Sequence, residues 1–531
     1  MISVLLFGAC IKDFTDTADK LFNVDGIQWN PTIAAPLVSS RLSLEDVLGR
    51  VDSDQFLRID EDGGLTIVYQ DDYRSSDAED VLALDDQDYE ETLTLTTDQL
   101  TTLDNTGEVK FTVNRVLDYN LLMGELDYLW FKDGDISIDL NTTLAHDVAL
   151  NVVIKEGRRS GGVFSPSVNA VWTSSPNRAS TSEDLSNVQI DFTKTAQGHS
   201  QMEVDLEFTI TKNNANPVNA SETVTYAIEL LNQKFFRAEG LFIDLNFSAE
   251  VADTFDIPFF NNSDGGSFTI DDPRIKFVLE NSIGIPVNAQ IPEFSGISNT
   301  GNVVNLTGLP DPLPVLLLDE SEIGTVKIDS FELNKSTGNL ADFINNQPNR
   351  IGYAVKVTAG GTGARHALLS NSRVKAKISV EIPAKGTARD YALEIVQPFD
   401  LTLENADQVQ EVLLRLYSEN RFPIDVQTQV YFEDSSTNTV LDSLFGPDQL
   451  ILPAAAVDAT GRVVSANPKT IDANMNAESV ERLKRANQLR LRAKFNTPFD
   501  ASTQPSVKFY SDYDVLLQLG VQAEVLIKQE F

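Results

Sequence analysis

Catalysis and metal binding need particular side chains close together, and this chain offers few of them. Its three His (His146, His199, His366) and its one Cys, Cys10, lie far apart in sequence. Zinc sites with Cys/His spacing, disulfide frameworks, Fe–S clusters and Cys–His catalysis are excluded by shortage of ligands. No Gly-x-Ser-x-Gly elbow is present. Ser372-Arg-Val-Lys375 has Ser-x-x-Lys spacing, but that chemistry needs one helical turn, and an extended segment puts the two residues on opposite faces. Gly360-Gly-Thr-Gly363 would cradle a phosphate only where a strand enters a helix; a strand-like segment follows it, so it reads as a hairpin loop. His146-Asp147 opens an alternating strand and reads as a turn pair without a nucleophile.

Hard oxygen ligands are the exception. Asp60, Glu61 and Asp62, then Asp133 and Asp135, then Asp264 with Asp271 and Asp272, could hold a structural Ca²⁺ at turns. None forms a full twelve-residue loop with a closing Glu, and such turns favour Asp for backbone reasons alone. No other cofactor is expected. A glycosidase needs two carboxylates in one cleft, and with 79 Asp+Glu no particular pair can be chosen. For sugar stacking, Trp172 sits in a loop-like Val-Trp-Thr-Ser-Ser-Pro run and is the candidate exposed aromatic. Trp130, in Leu-Asp-Tyr-Leu-Trp-Phe, reads as core.

The 531 residues carry a formal net charge of −38 and a pI near 4.3, with no basic run. Such a polyanion repels nucleic acid and anionic headgroups, so nucleic-acid binding is excluded. With 42% hydrophobic residues and 29 Phe, the chain can bury several cores.

The stretch Met1-Ile-Ser-Val-Leu-Leu-Phe-Gly-Ala-Cys10 is apolar and ends in small residues before the sole Cys. It resembles a bacterial lipobox, which implies that Cys10 bears lipid as the first residue of the mature protein. No Lys or Arg precedes Cys10, and Phe7 stands where Leu is commoner. Ile11-Lys12-Asp13 resembles the export signal of Bacteroidota surface lipoproteins. Asp16-Thr17-Ala18 and Asp442-Ser443-Leu444 match the glycosylation acceptor of that phylum, which marks Thr17 and Ser443. The Trp29-Asn-Pro start and the Asp60–Gly64 turn resemble the opening of Bacteroidota envelope proteins. This resemblance implies an outer-membrane, cell-surface location with the membrane reached through lipid only.

The elements are mostly strands. Apolar and polar residues alternate in 135–140, 202–210, 373–382 and 488–495, as in antiparallel sheets with one wet face. Residues 56–69 read as a hairpin around Asp62-Gly-Gly64, and 29–40 lead into a short helix, Leu44–Gly49, opened by a Ser43–Asp46 capping box. Residues 71–92 read as an acidic loop, and Asp133-Gly134 as a turn. The chain also repeats itself: Phe277–Ile291 matches Leu416–Val430, with Asn281 aligned to Asn420, an offset of 420 − 281 = 139. A diverged third copy aligns Asn141 with Asn281 and Ile190-Asp191 with Ile328-Asp329. The Asn-turn-Pro-strand pattern resembles the water-stress/LEA-14 type of β-sandwich.

The expected fold is mainly β: tandem antiparallel β-sandwich-like repeats with a few short helices, elongated. The expected divisions are a signal segment (1–10), a tether with an N-terminal hairpin (11–125), a diverged β unit (126–238) and two β-sandwich repeats (239–398 and 399–531). The expected function is a non-enzymatic, lipid-anchored surface protein with a structural, adhesive or ligand-binding role and a glycan or envelope-protein partner. The rival readings are a glycan-acting hydrolase on a β scaffold and an outer-membrane β-barrel, the latter from the alternation Val521, Ala523, Val525, Ile527.

Overall fold

A computed structural model describes residues 32–43, 55–248, 253–261, 264–361, 363–400, 409–458, 460–498 and 505–526. Cys10, Thr17, Trp29 and the expected helix Leu44–Gly49 lie outside the described residues. The fold is mainly β, antiparallel throughout the described pairings, with short helices between strands.

One arrangement of strands occurs three times. In unit 1, Gln87–Thr94, Thr223–Phe242, Gly124–Thr142 and Asn177–Asp184 are neighbours in that order. Unit 2 has Leu65–Arg74, Val374–Pro383, Arg274–Asn281 and Lys327–Leu333 in the same places. Unit 3 has Thr32–Ser43, Asp514–Val525, Val409–Asn420 and Asn467–Asn476. Units 2 and 3 each add a second sheet, centred on Pro348–Ala359 with Val287–Ser298 and on Gln488–Asn496 with Asp425–Asp434. In unit 1 the equivalent layer, Gln201–Thr211 with Asp147–Arg159, continues the same sheet through Gln189–Asp191. Alternation explains the packing: every second residue of Asp147–Ile154 and Gln201–Thr211 is buried, and the others meet solvent. Phe208 meets Tyr226 at 6.1 Å across the two halves of the unit 1 sheet, and Phe277 meets Phe294 at 5.9 Å between the sheets of unit 2.

A polar residue closes the same strand in every unit. Asn281 accepts the Ile283 N–H at 2.9 Å and donates to Leu316 O at 2.9 Å. Asn420 accepts the Phe422 N–H at 2.9 Å and donates to Ile424 O and Pro453 O at 2.9 and 2.8 Å. Thr142 accepts the Leu144 N–H at 3.1 Å and donates to Thr223 O at 2.8 Å. Beside these three residues on the next strand stand Val224, Val374 and Val515, all buried. The true counterpart of Asn281 is therefore Thr142, at 281 − 142 = 139, and not Asn141. Ile190-Asp191 is likewise not the counterpart of Ile328-Asp329. It lies on a short strand bridging 124–142 and 147–159, and the 327–333 position is filled by 177–184.

The N-terminal part runs backwards along this series. The strand at 32–43 edges unit 3, 65–74 edges unit 2 and 87–94 edges unit 1, after which the chain builds units 1, 2 and 3 in order. Residues 32–43, expected to lead into a helix, are thus strand, and so is much of the expected acidic loop 71–92. Its charges are compatible with a sheet edge because Asp72, Asp88 and Glu90 face outward, while Tyr73 and Gln87 face in. The Asp62-Gly-Gly64 hairpin forms as expected, with Ile59 opposite Leu65. Asp133-Gly134 is no turn but a bulge within the 19-residue strand Gly124–Thr142. Gly134 has φ +127°, and a Cβ there would stand 3.1 Å from Gln233 Cα, so only glycine fits. The 360–363 loop is no hairpin either: the strand after it, His366–Leu369, pairs with 237–240 of unit 1.

The units are joined end to end. Residues 237–240, at one end of the long 223–242 strand, touch unit 2, so the Thr142 end of unit 1 points away. The Asn281 end of unit 2 faces unit 1, and the Asn420 end of unit 3 faces unit 2. One apolar core runs through units 1 and 2, whereas unit 3 has cores of its own. The elongated series follows from these joints.

Candidate functional site

The break in the core between units 2 and 3 is occupied by a cavity of about 280 Å³. Ile67, Phe268 and Ile382 line it from the unit 2 side, and Phe422, Leu452 and Phe509 from unit 3. The strand Lys385–Arg389 runs along it and pairs with both Ser267–Ile270 and Val507–Lys508, which ties the two units together. Close backbone approach is required here, since a Cβ on Gly386 would lie 1.8 Å from Thr269 O. The lining is almost wholly apolar, and three of its polar side chains are engaged within the protein. Asn420 makes the bonds given above, Thr387 Oγ1 shares a hydrogen bond with Thr269, and Lys385 pairs with Asp271 at 3.3 Å. No carboxylate lines the space.

Just outside, a buried carboxylate fastens the N-terminal hairpin to unit 2. Glu381 accepts two hydrogen bonds from Arg58, at 2.7 and 2.9 Å, and pairs with Lys276 at 2.9 Å. Burial alone would raise its pKa, but the Arg58 and Lys276 hydrogen bonds overcome this and hold it at about 2. Arg58 also reaches Asp60 at 3.1 Å, and Thr66 donates to that carboxylate at 2.8 Å.

A second place of interest is the free end of unit 1, where loops 143–146, 171–176 and 212–222 meet. The fully buried His146 organises them. Its Nδ1 accepts the Asn213 N–H at 3.3 Å, and its carbonyl accepts from Asn177 at 3.1 Å. Asn216 donates to Ala145 O at 2.9 Å, and Asp147 accepts the Trp172 N–H at 2.7 Å. Burial lowers the His146 pKa, with Glu222 opposing more weakly. In a chain this acidic the loops are nearly free of charge, with Lys212 and Glu222 the only charged residues in 212–222 and none in 171–177.

No family model and no curated protein matches the chain. Among solved structures it is similar to a protein of Parabacteroides distasonis ATCC 8503 described as secreted, at 11% identity over 93% of this chain and 99% of that one, with a TM-score of 0.24. It is also similar to the infectious bursal disease virus Gx strain structure, at 7% identity over 86% and 84% with a TM-score of 0.16. At these scores neither likeness carries a function across.

The residues singled out from sequence are scattered. Asp60 and Asp62 are taken by cations of the chain itself, Arg58 and Lys508, and Asp264 pairs with Arg492 at 2.9 Å. Asp133 and Asp135 are exposed on the bulged strand, where Asp133 accepts the Gly134 N–H at 2.9 Å. No group of three or more acidic, His or Cys side chains suited to a metal occurs among the described residues. Ser443 is exposed on the edge strand Thr439–Leu444. Trp172 is half-buried in its loop. Trp130, expected in the core, is also half-buried and packs its ring 5.6 Å from that of Phe236, which is 40% exposed. The register shifts around Lys234 and Phe235 reverse the facing of this stretch, which strict alternation could not reveal. Ser372 is buried in a turn, where its hydroxyl accepts the Leu369 N–H at 3.3 Å, while Lys375 points outward to Glu280. The cavity escaped sequence reasoning because its walls come from seven separated stretches of mostly apolar residues.

Proposed function

We propose that the chain is a non-enzymatic, extracytoplasmic protein, anchored to the outer membrane through lipid on Cys10, that holds the loops of unit 1 outward for binding. The observation that carries this reading is the pairing of Thr32 with Glu524. That pair lies at the end of unit 3 farthest from unit 2, so the segment leading from Cys10 enters at the base of the series. The loops around His146 then form the opposite end. Loops on a rigid β scaffold are where binding residues concentrate, and the low charge and the Trp172 indole suit a neutral partner such as a glycan.

Two observations favour a non-catalytic role. The carboxylates raised by burial, Asp71 and Glu156, sit in different units and serve as structural acceptors. Asp71 accepts the Tyr353 hydroxyl at 2.7 Å, and Glu156 the Glu203 N–H at 2.9 Å. The barrel reading loses its motive as well, since Val521, Ala523 and Val525 point into unit 3.

Intact-cell proteolysis of wild type beside Cys10→Ala, with mass analysis of the N-terminus, tests the reading. A diacyl mass on Cys10 and cleavage on whole cells are expected. An unmodified Met1 in a soluble intracellular fraction would overturn it.

A further inference from the structure

The joint between neighbouring units is built twice, and the two versions differ in one respect. At the joint of units 1 and 2, Ile283 and Ile285 follow the capping Asn281 and are fully buried, with Leu368 of the strand His366–Leu369 beside them. At the joint of units 2 and 3 the corresponding residues, 139 further on, are Phe422 and Ile424, and the corresponding strand is the two-residue Val507–Lys508. The first joint is closed into one continuous core. The second is interrupted by the 280 Å³ cavity, although its residues are as large and as apolar.

Protein interiors are close-packed, and voids much larger than a water molecule are few. An apolar cavity of about 150 Å³ stays dry and holds one benzene, so this one has room for a chain of roughly ten carbons. Water would find few partners inside, because the lining is almost wholly apolar and Asn420, Thr387 and Lys385 are bonded within the protein. For the same reason a sugar, nucleotide or peptide would bury unmatched polar groups.

We infer that the cavity between units 2 and 3 is a binding site for an unbranched hydrocarbon chain, the apolar part of an amphiphile whose head stays outside. Filling it completes the interrupted core and stiffens the second joint to match the first. This site is independent of lipidation at Cys10, so purified protein lacking residues 1–10 serves for the test.

The probe is N-phenyl-1-naphthylamine, whose fluorescence rises in an apolar site, competed by 1-decanol. Saturable binding at one site per chain is expected, with displacement by 1-decanol and none by glucose. Ile424→Phe and Val426→Phe fill the cavity from its half-buried wall, and each should weaken binding tenfold or more with an unchanged circular dichroism spectrum. With 1-decanol bound, hydrogen exchange should slow in peptides covering both 382–388 and 420–426. Absence of saturable binding, binding undiminished in both filled variants, or protection confined to other regions would each overturn the proposal. Should one variant fail to fold, the other and the exchange pattern of the wild type still decide.

Discussion

Replacing Glu381 by Gln should loosen the N-terminal hairpin from unit 2 at neutral pH and do far less in acid. The carboxyl is held at about 2 instead of its ordinary 4.5 by Arg58 and Lys276. At 1.36 kcal/mol per pKa unit, that difference is worth at most about 3 kcal/mol. The folded pKa is the depressed one, so the unfolded chain binds the proton more readily between those two values. The stabilisation is therefore complete above pH 4.5 and is lost as pH falls toward 2, with about 2 kcal/mol gone by pH 3. The glutamate side chain is only 5% exposed, which supports a sizeable effect, but Arg58 and Lys276 are each 37% exposed, so added salt should trim it. Hydrogen exchange read by mass spectrometry on peptides covering 65–74 and 374–383, corrected for intrinsic rates, measures the opening free energy of these strands at each pH. The gap between wild type and Glu381→Gln should shrink from about 3 to about 1 kcal/mol between pH 7 and pH 3. An equal gap at both pH values would refute the reasoning, because the carboxylate's charge would then not be what holds the hairpin.

Asn281→Ala and Asn420→Ala each strand a buried N–H and at least one carbonyl, and should cost about 2–3 kcal/mol by urea unfolding, whereas Thr142→Ala should cost about 1. Equal and small losses at all three would mean that the closing residue is dispensable. His146 is buried with its pKa lowered, so the unfolded chain takes up its proton first as pH falls. Its contribution is whole above pH 6.5 and declines below it; the melting temperature of wild type should therefore drop between pH 7.5 and 5 more than that of His146→Gln. Removing residues 1–43 uncovers the edge of 514–525, so light scattering should show self-association that the full chain lacks; a monomer would show that the strand is not needed to guard that edge.

Local pattern made most strands readable. The alternation in 202–210 and 373–382 reports one wet and one dry face whatever lies on the other side. The 139-residue offset between Asn281 and Asn420 was readable because an amide with three bonds to make tolerates few replacements. At the first copy a hydroxyl does the same work with fewer bonds, so Thr142 went unseen and its neighbour Asn141 took its place. Pairing between distant strands left no local mark. Nothing in Gln87–Thr94 names Thr223–Phe242 as its neighbour, and a run of Asp and Glu looks like a loop when it is an edge whose every second residue is wet. The junction cavity is further still from local pattern, since it depends on how two finished units meet.

The backward course of the N-terminal strands also sets a timetable for a chain that emerges from the ribosome or a translocon in sequence order. The 87–94 strand waits for residue 223, the 65–74 strand for residue 374, and the 32–43 strand for residue 514. Unit 1 can close while most of the chain is still to come, unit 2 later, and unit 3 only when nearly every residue has been delivered. Of the described strands, the first to appear is thus the last to find its partner, and for that whole interval it is an unpaired edge open to other chains. Its composition suits the wait: Thr32–Ser43 holds Pro36 and Arg41, three Ser and no aromatic residue, a strand poor at pairing with the wrong neighbour.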